Sequence, residues 1–419
     1  YGLDGGAGTG EDEDLVAVAS GKHFCFPEFT FAPGSITSIV PSTERVRPEQ
    51  YTFSLTEGDG TRTVGFCRRF LPPSDGGRAR YPVVMCVLSK HAWFSFFFTA
   101  LEKVEPHILA LPPLSTSSGG SDDGRTTTGM PSGAHATQFL RAVCARPAAG
   151  PGAELVIPLP WHVPGTGFPS ELALKVPEGA AAGAGHAANP DVRFAPLMFH
   201  IGGVHATLAL FAALVFERRV VLSGSDLTTL SAAVHAANAA LYPLAWQHIF
   251  LPLMPAGFID YLTAPMPFLV GLPAALVPAM KMLPCEEVFH LDLDTGEYTC
   301  FPGDLESLPT RPVRALQAAL ESQMKGGRHD DAAIAAAFRR FFSSTLGPYR
   351  RHVVSEGECE CPRGAIAAGG LWLDQDAFVA AGATRRTKLL LEAMRGTQMY
   401  EVFVRERLAA MSGGEGDSK

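Results

Sequence analysis

The 419-residue sequence is short of paired cysteines, of long apolar runs and of excess charge, and each shortage removes a class of protein. Its eight cysteines are scattered and include no Cys-x-x-Cys, which excludes a disulfide scaffold. They fit a reduced, cytosolic compartment in which they act as buried small hydrophobes. The most apolar stretch, Val204 to Val215, is too short to cross a bilayer and ends at Glu217-Arg218-Arg219. With 34 basic against 42 acidic residues the formal net charge is -8, leaving no broad cationic footprint for nucleic acid. At 47% hydrophobic and 18% charged, the chain is neither a disordered polyelectrolyte nor a coiled-coil rod. It opens at Tyr1 with glycines and acidic residues and shows no signal-peptide pattern, so it reads as a piece of a longer protein.

Catalytic signatures are missing too. No Gly-x-x-x-x-Gly-Lys occurs, and the glycines from Gly5 to Gly10 sit in a segment with almost no apolar side chains. Leu222-Ser223-Gly224-Ser225-Asp226 lacks the glycines of a nucleophile elbow, so a helix cap at Ser225 or Asp226 is the simpler reading. His200 and His205 are five apart, off the spacing that puts two imidazoles on one helix face. Cys359-Glu360-Cys361 near His352 has neither finger spacing nor a fourth ligand. Asp292 and Asp294 share a strand face, but they lead into Thr295-Gly296, as a solvated turn would. The charged run Glu217-Arg218-Arg219 either caps a helix C-terminus or lines a partner surface. No catalytic residue, metal ligand or cofactor is expected, and what remains is a binding protein.

What the sequence does contain is pattern. The expected organisation is a flexible tail (1–14), an N-terminal lobe (15–114), a linker with inserted loops (115–190), a central lobe (191–310), a helical C-terminal part (311–411) and a second tail (412–419). Within the linker, 115–136 and 177–190 are poor in buriable side chains, with a helix expected at Gln138 to Cys144 between them. Period-two alternation at His23 to Pro27 and at Tyr51, Phe53 and Leu55 marks half-buried strands, followed by Thr63 to Phe70 and Tyr81 to Leu88. Trp93, Phe96, Phe97, Ala100, Leu101 and Val104 recur at helical spacing, so Ala92 to Val104 packs on that meander.

After Asp191 the rhythm changes to helix and strand in alternation. Helices are expected at Val204 to Val215, Leu227 to Leu241, Ala256 to Leu262 and Ala274 to Lys281. Strands are expected at Arg218 to Ser223, Gln247 to Leu251, Phe268 to Gly271 and Glu287 to Leu293. Such alternation predicts a parallel sheet covered by helices. From Arg311 the chain reads as helical, with breaks at Gly382 and Gly396. The expected fold is therefore bilobal: α+β with an antiparallel sheet first, then mainly parallel α/β with a helical end.

The segment Ala213 to Gly271 resembles the central part of the DENN domain family. The resemblance runs through Glu217-Arg218-Arg219, Leu227-Thr228-Thr229-Leu230, Tyr242-Pro243, Trp246-Gln247-His248, Pro252, Asp260-Tyr261 and Ala264-Pro265-Met266-Pro267-Phe268. Phe24-Cys25-Phe26-Pro27, Gly65 to Arg69 and Leu88 to Phe94 resemble the family's N-terminal portion. Phe341 to Arg351 and Leu390 to Phe403 resemble its C-terminal portion. The short layout looks most like the connecdenn branch, and the loops at 115–136 and 177–190 depart from the family.

The resemblance implies a longin-like first lobe, an α/β second lobe and guanine-nucleotide exchange on a Rab-family small GTPase held between them. The alternatives are a DENN-like scaffold or adaptor that binds GTPases without exchanging them, and an unrelated enzyme. It also implies vesicle trafficking in the cytoplasm, with peripheral and indirect recruitment to endosomal or vesicle membranes. Partner-contacting residues are expected where the two helices open: His91, Trp93, Ser95 and Thr99 in the first lobe, and His205, Thr207 and Leu208 in the second. The polar members are the stronger candidates, because packing needs them less.

Overall fold

The structure, a computed structural model, describes residues 23–29, 47–56, 61–71, 82–109, 150–158, 171–177, 189, 191–199, 202–285, 287–299, 301–325, 329–355, 357, 361–362 and 365–413. Both terminal tails as expected from sequence, the loop at 115–136 and the helix expected at Gln138 to Cys144 lie outside the described residues, apart from 412–413. The chain divides into two units. One comprises Tyr1–Phe26, Phe31–Gln50 and Thr56–Ala182; the other comprises Pro27–Thr30, Tyr51–Leu55 and Gly183–Lys419.

The first unit is built on strands β1 (Glu49–Thr56), β2 (Arg62–Phe70) and β3 (Val83–Ser89) in the order β1-β2-β3. β2 and β3 are antiparallel, with Val64 opposite Ser89 and Phe70 opposite Val83. Alternation then puts Val64, Phe66, Arg68 and Phe70 on the same face as Met85 and Val87. Helix α1 (Phe94–Leu109) covers that face, and Phe96, Phe97, Ala100, Leu101 and Val104 join the strand residues in one buried cluster. The Phe66 ring stacks on Phe97 at 4.6 Å, and Arg68 forms an ion pair with Glu105 of α1. A charge so nearly buried is held by its partner rather than by water.

Two expectations fail here. His23 to Cys25 is a helical turn followed by a bend, not a strand. The five residues from His23 to Pro27, with only Phe24 and Phe26 on one face, are too few to fix a period. The stretch expected as a linker also contains a hairpin, β4 (Glu154–Pro158) with β5 (Glu171–Lys175), in which Ile157 lies opposite Leu172. Ile157, Leu172, Leu174 and Val176 are buried in the same cluster as α1.

The second unit carries a five-stranded sheet in the order β10-β9-β6-β8-β7. β6 (Arg219–Gly224), β7 (Ile249–Leu251), β8 (Phe268–Pro273) and β9 (Val288–Asp292) are parallel, and β10 (Tyr298–Thr299) closes one edge antiparallel to β9. α2 (Ala195–Met198) and α3 (Gly203–Val215) precede β6, and α4 (Leu227–Ala239) follows it. α3 is buried at every position from Ala206 to Val215. Ala256–Thr263 and Ala274–Leu276 wind as 3-10 helices rather than α-helices, each entered from a proline, Pro255 and Pro273. A short α5 (Val277–Met280) follows the second.

Tyr51–Leu55 also clusters with this unit. Tyr51, Thr52, Phe53 and Ser54 are all buried, so this strand segment is not half-wet as its alternation implied. Thr52 is bonded there: its Oγ1 lies 2.8 Å from His235 Nε2, and its N–H donates to Ser231 Oγ at 3.3 Å.

The C-terminal part is helical as expected: α6 (Asp304–Ser307), α7 (Thr310–Lys325), α8 (Asp331–Thr345), α9 (Gln375–Ala380), α10 (Arg385–Met394) and α11 (Gln398–Ser412). Phe211 of α3 packs against Phe338, Phe341 and Phe342 of α8 at 5.1, 5.1 and 5.7 Å between ring centroids. A small antiparallel sheet, β11 (Val353–Ser355), β12 (Ala367–Ala368) and β13 (Leu371–Leu373), has no counterpart in the sequence expectation. Strands of two or three residues carry no readable period.

Candidate partner-binding surface

In the first unit His91, Ser95 and Thr99 are spaced by four, which lines them up at and along the start of α1. All three are half-buried. The His91 ring lies flat on Trp93, with centroids 4.4 Å apart, and its backbone N–H donates to Ser89 Oγ at 3.0 Å. Burial lowers the His91 pKa from its ordinary value, so this imidazole is neutral near pH 7. Trp93 itself is buried against Phe96 and Phe97 and serves the core.

In the second unit the sequence candidates separate sharply. His205 is exposed, and its Nδ1 lies 2.7 Å from the Tyr298 hydroxyl on β10. Thr207 is buried, and its hydroxyl lies 3.1 Å from each of the carbonyl oxygens of Leu197 and Gly203, which share its one proton. Leu208 is buried as well. The expectation that Thr207 is little needed for packing is therefore corrected: the hydroxyl ties α2 to α3. Of the three, His205 is presented to solvent.

Sequence reasoning did not mark the exposed apolar side chains of this unit for contact. Tyr261, Met266 and Met282 are 57%, 51% and 85% exposed, far above the usual burial of such residues. Met266 stands between Pro265 and Pro267, so it cannot be drawn into a helix or a sheet interior, and that Pro-Met-Pro was the readable signal. Tyr261 and Met282 sit in or beside short helical turns that pack on one another.

The other sequence candidates resolve into structure. Asp226 caps α4, its carboxylate accepting from the N–H groups of Thr228 and Thr229 at 3.1 and 3.3 Å, and so fills the position an anion would occupy. Asp292 accepts from the N–H groups of Asp294 and Thr295, while Asp294 accepts from Ser225 N, so these carboxylates organise turns. Ser223 Oγ lies 2.8 Å from His290 Nε2, a pairing that resembles a nucleophile and its base. Ser223 is fully buried in the central strand, however, so no substrate reaches it. His200 and Cys359 fall outside the described residues.

The run Glu217-Arg218-Arg219 does something neither sequence alternative foresaw. Glu217 has φ of 49° and sends its carboxylate to the N-terminus of α11, accepting from Gln398 N at 3.2 Å and Met399 N at 2.9 Å. His248 Nε2 lies 3.0 Å from the same carboxylate. Arg218 makes a two-pronged pair with Asp304 at 2.8 and 3.0 Å and covers the Phe301 ring at 4.7 Å. The bonds to Asp304 raise the Arg218 pKa further. The run staples α3 and β6 to the helical end of the unit.

Comparison with known proteins fits this architecture. Residues 185–296, which hold α2 to β9, match the family model described as the DENN (AEX-3) domain, and residues 18–70 match the uDENN domain. The chain belongs to the DENN domain family. It is 30% identical over 409 residues to DENN domain-containing protein 2B of Homo sapiens, covering 94% of this chain and 31% of that protein. DENN domain-containing protein 2A of Homo sapiens is 28% identical, with 94% and 36% covered. DENN domain-containing protein 1A of Xenopus laevis is 27% identical, with 97% and 34% covered. The chain thus spans about a third of the length of these relatives. The DENN segment includes the Glu217 staple, the buried Trp246 whose Nε1 donates to Ile249 O at 3.0 Å, and the exposed Tyr261 and Met266. No helix among the described residues is long and apolar enough to cross a membrane.

Proposed function

We propose that this chain is a guanine-nucleotide exchange factor for a Rab-family small GTPase. Its membership of the DENN family carries the reading, since exchange is the activity the family resemblance implies. Exchange needs no covalent chemistry from the factor. It needs a surface that binds the nucleotide-free GTPase more tightly than the loaded one, because a partner that binds both equally shifts nothing. A thousandfold weakening of nucleotide requires about 4 kcal/mol of such preference.

Two patches are assigned to exchange, one on each unit: His91, Ser95 and Thr99 on the first, and His205, Tyr261 and Met266 on the second. Half-exposed polar residues set register, and exposed Tyr and Met supply apolar contact area. Membrane recruitment, on this reading, is peripheral and indirect. Near the C-terminus Arg395 is paired to Asp376 and Glu392 and Arg405 to Glu401, which leaves a modest positive excess from Arg385, Arg386, Lys388 and Arg407. At about 1 kcal/mol per unbalanced charge, that excess is too small to anchor the chain on an anionic bilayer by itself.

The test is release of fluorescently labelled GDP from a panel of purified Rab proteins, with and without the chain. At least tenfold faster release from one Rab is expected. Stable binding without faster release would make the chain a scaffold or adaptor, and no effect on any small GTPase would overturn the proposal.

A further inference from the structure

The eight cysteines read from sequence as separate buried hydrophobes, but three of them meet. Cys67 of β2 lies directly opposite Cys86 of β3, and both point to the sheet face that α1 does not cover, because Phe66, Arg68, Met85 and Val87 take the α1 side. The helical turn from His23 to Cys25 brings a third thiol to the pair. The Sγ atoms of Cys25 and Cys67 are 4.0 Å apart, and all three sulfurs lie within 4.8 Å of one another. None is in a disulfide. Residues 42 and 61 positions from the first cysteine thus converge through tertiary structure, which is why no sequence spacing announced them.

We infer that Cys25, Cys67 and Cys86 form a binding site for one soft, thiophilic d10 cation, with Cu(I) favoured by the donor count. An ion about 2.3 Å from each of three sulfurs in a plane holds them about 4.0 Å apart, the separation already present between Cys25 and Cys67. Thiolate donors select Cu(I) or Zn(II) over harder ions. Structural zinc takes four protein ligands, and among the described residues the cluster offers three donors, all sulfur. Cys67 is buried while Cys25 and Cys86 are half-buried, so the site has one anchored donor and an open side for ion entry. The bound ion ties the N-terminal helical turn to the β2–β3 hairpin. This inference is independent of GTPase exchange.

The experiment uses the whole chain, reduced and stripped of metal under anaerobic conditions. One equivalent of Cu(I), supplied as a weak acetonitrile complex, or of Zn(II) is added before timed alkylation with iodoacetamide and peptide mapping. Alkylation of Cys25 and Cys86 is expected to slow at least tenfold with Cu(I), while Cys285, half-buried and outside the cluster, keeps its rate. Stronger protection by Zn(II) than by Cu(I) would keep the site and overturn the preference for Cu(I). Unchanged rates at Cys25 and Cys86 with both ions, or equal slowing at Cys285, would overturn the site. As a second measurement, Cys67→Ser should weaken Cu(I) binding at least tenfold in competition with a chromophoric chelator. If that variant does not fold, the alkylation result on the unaltered chain decides alone.

Discussion

Glu217 shows how one side chain can carry more architecture than its neighbours in sequence imply. Its carboxylate is nearly buried and faces two backbone N–H groups at the start of α11. A carboxylate accepts at both oxygens, whereas an amide turns one of them into a donor. Glu217→Gln should therefore point an N–H at an N–H and cost about 1–3 kcal/mol, read as a lower urea midpoint with an unchanged slope. An unaltered midpoint would show that the staple is idle.

His290 gives the fold a pH dependence of known sign. Burial lowers its pKa below the ordinary 6.5, and Asp292, which raises it, does not overcome that. Lys281 pushes in the same direction as burial. At high pH the imidazole is neutral in both states and contributes nothing. As pH falls through 6.5 the unfolded chain takes the proton first, so stability drops until the folded pKa is passed. His91 shifts the same way, also through burial. Thermal unfolding followed from pH 8 to pH 5 should show a falling midpoint that begins near pH 6.5, with a shallower fall in His290→Gln. Neither side chain could be assigned this role from sequence, because burial of a single histidine is decided by tertiary packing.

At the scale of elements, the sequence was most legible where a period had room to establish itself. α1, α3, α4, α7 and the strands β2, β3, β6 and β8 appear close to where their apolar spacing puts them. The failures are short. The turn at His23–Cys25 and the strands β11 to β13 each span too few residues to separate a period of two from one of 3.6. The β4–β5 hairpin was hidden differently, since its alternating Leu155, Ile157, Leu172 and Leu174 lie in a region whose glycine-rich surroundings dominated the reading.

Contact between elements also explains a glycine. Gly271 sits in β8 where a Cβ would meet the Pro252 carbonyl oxygen at 2.1 Å, and its own carbonyl accepts from Met254 N at 2.7 Å. Gly224 ends β6 with ordinary space around it, its nearest contact being Leu293 at 3.7 Å. Gly271→Ala should thus destabilise by about 3 kcal/mol, the upper part of the usual overpacking range, while Gly224→Ala stays within about 0.5 kcal/mol of the parent. Equal melting temperatures for the two variants would mean that the loop at Pro252 yields easily.

For the whole molecule the proposed exchange activity raises the question of which surface would meet a Rab, and burial narrows it. Placing aspartate at Thr207 or Leu208 would put a charge into the core of the second unit, so lost activity there would report unfolding rather than contact. Thr99 and His205 are free of that ambiguity: one is half-buried on α1 and the other is exposed on α3. Met266, with half its surface in solvent, tests whether apolar contact matters beside polar register. Thr99→Asp, His205→Asp and Met266→Asp should each leave the melting temperature within a few degrees of the parent and slow Rab GDP release at least tenfold, a loss of about 1.4 kcal/mol of transition-state binding. Slowing confined to Met266→Asp would place the contact on the apolar patch of the second unit and remove His205 from it. Parent-like release in all three, measured against a Rab that the unaltered chain does accelerate, would move the interface away from both helices while leaving the exchange activity itself intact.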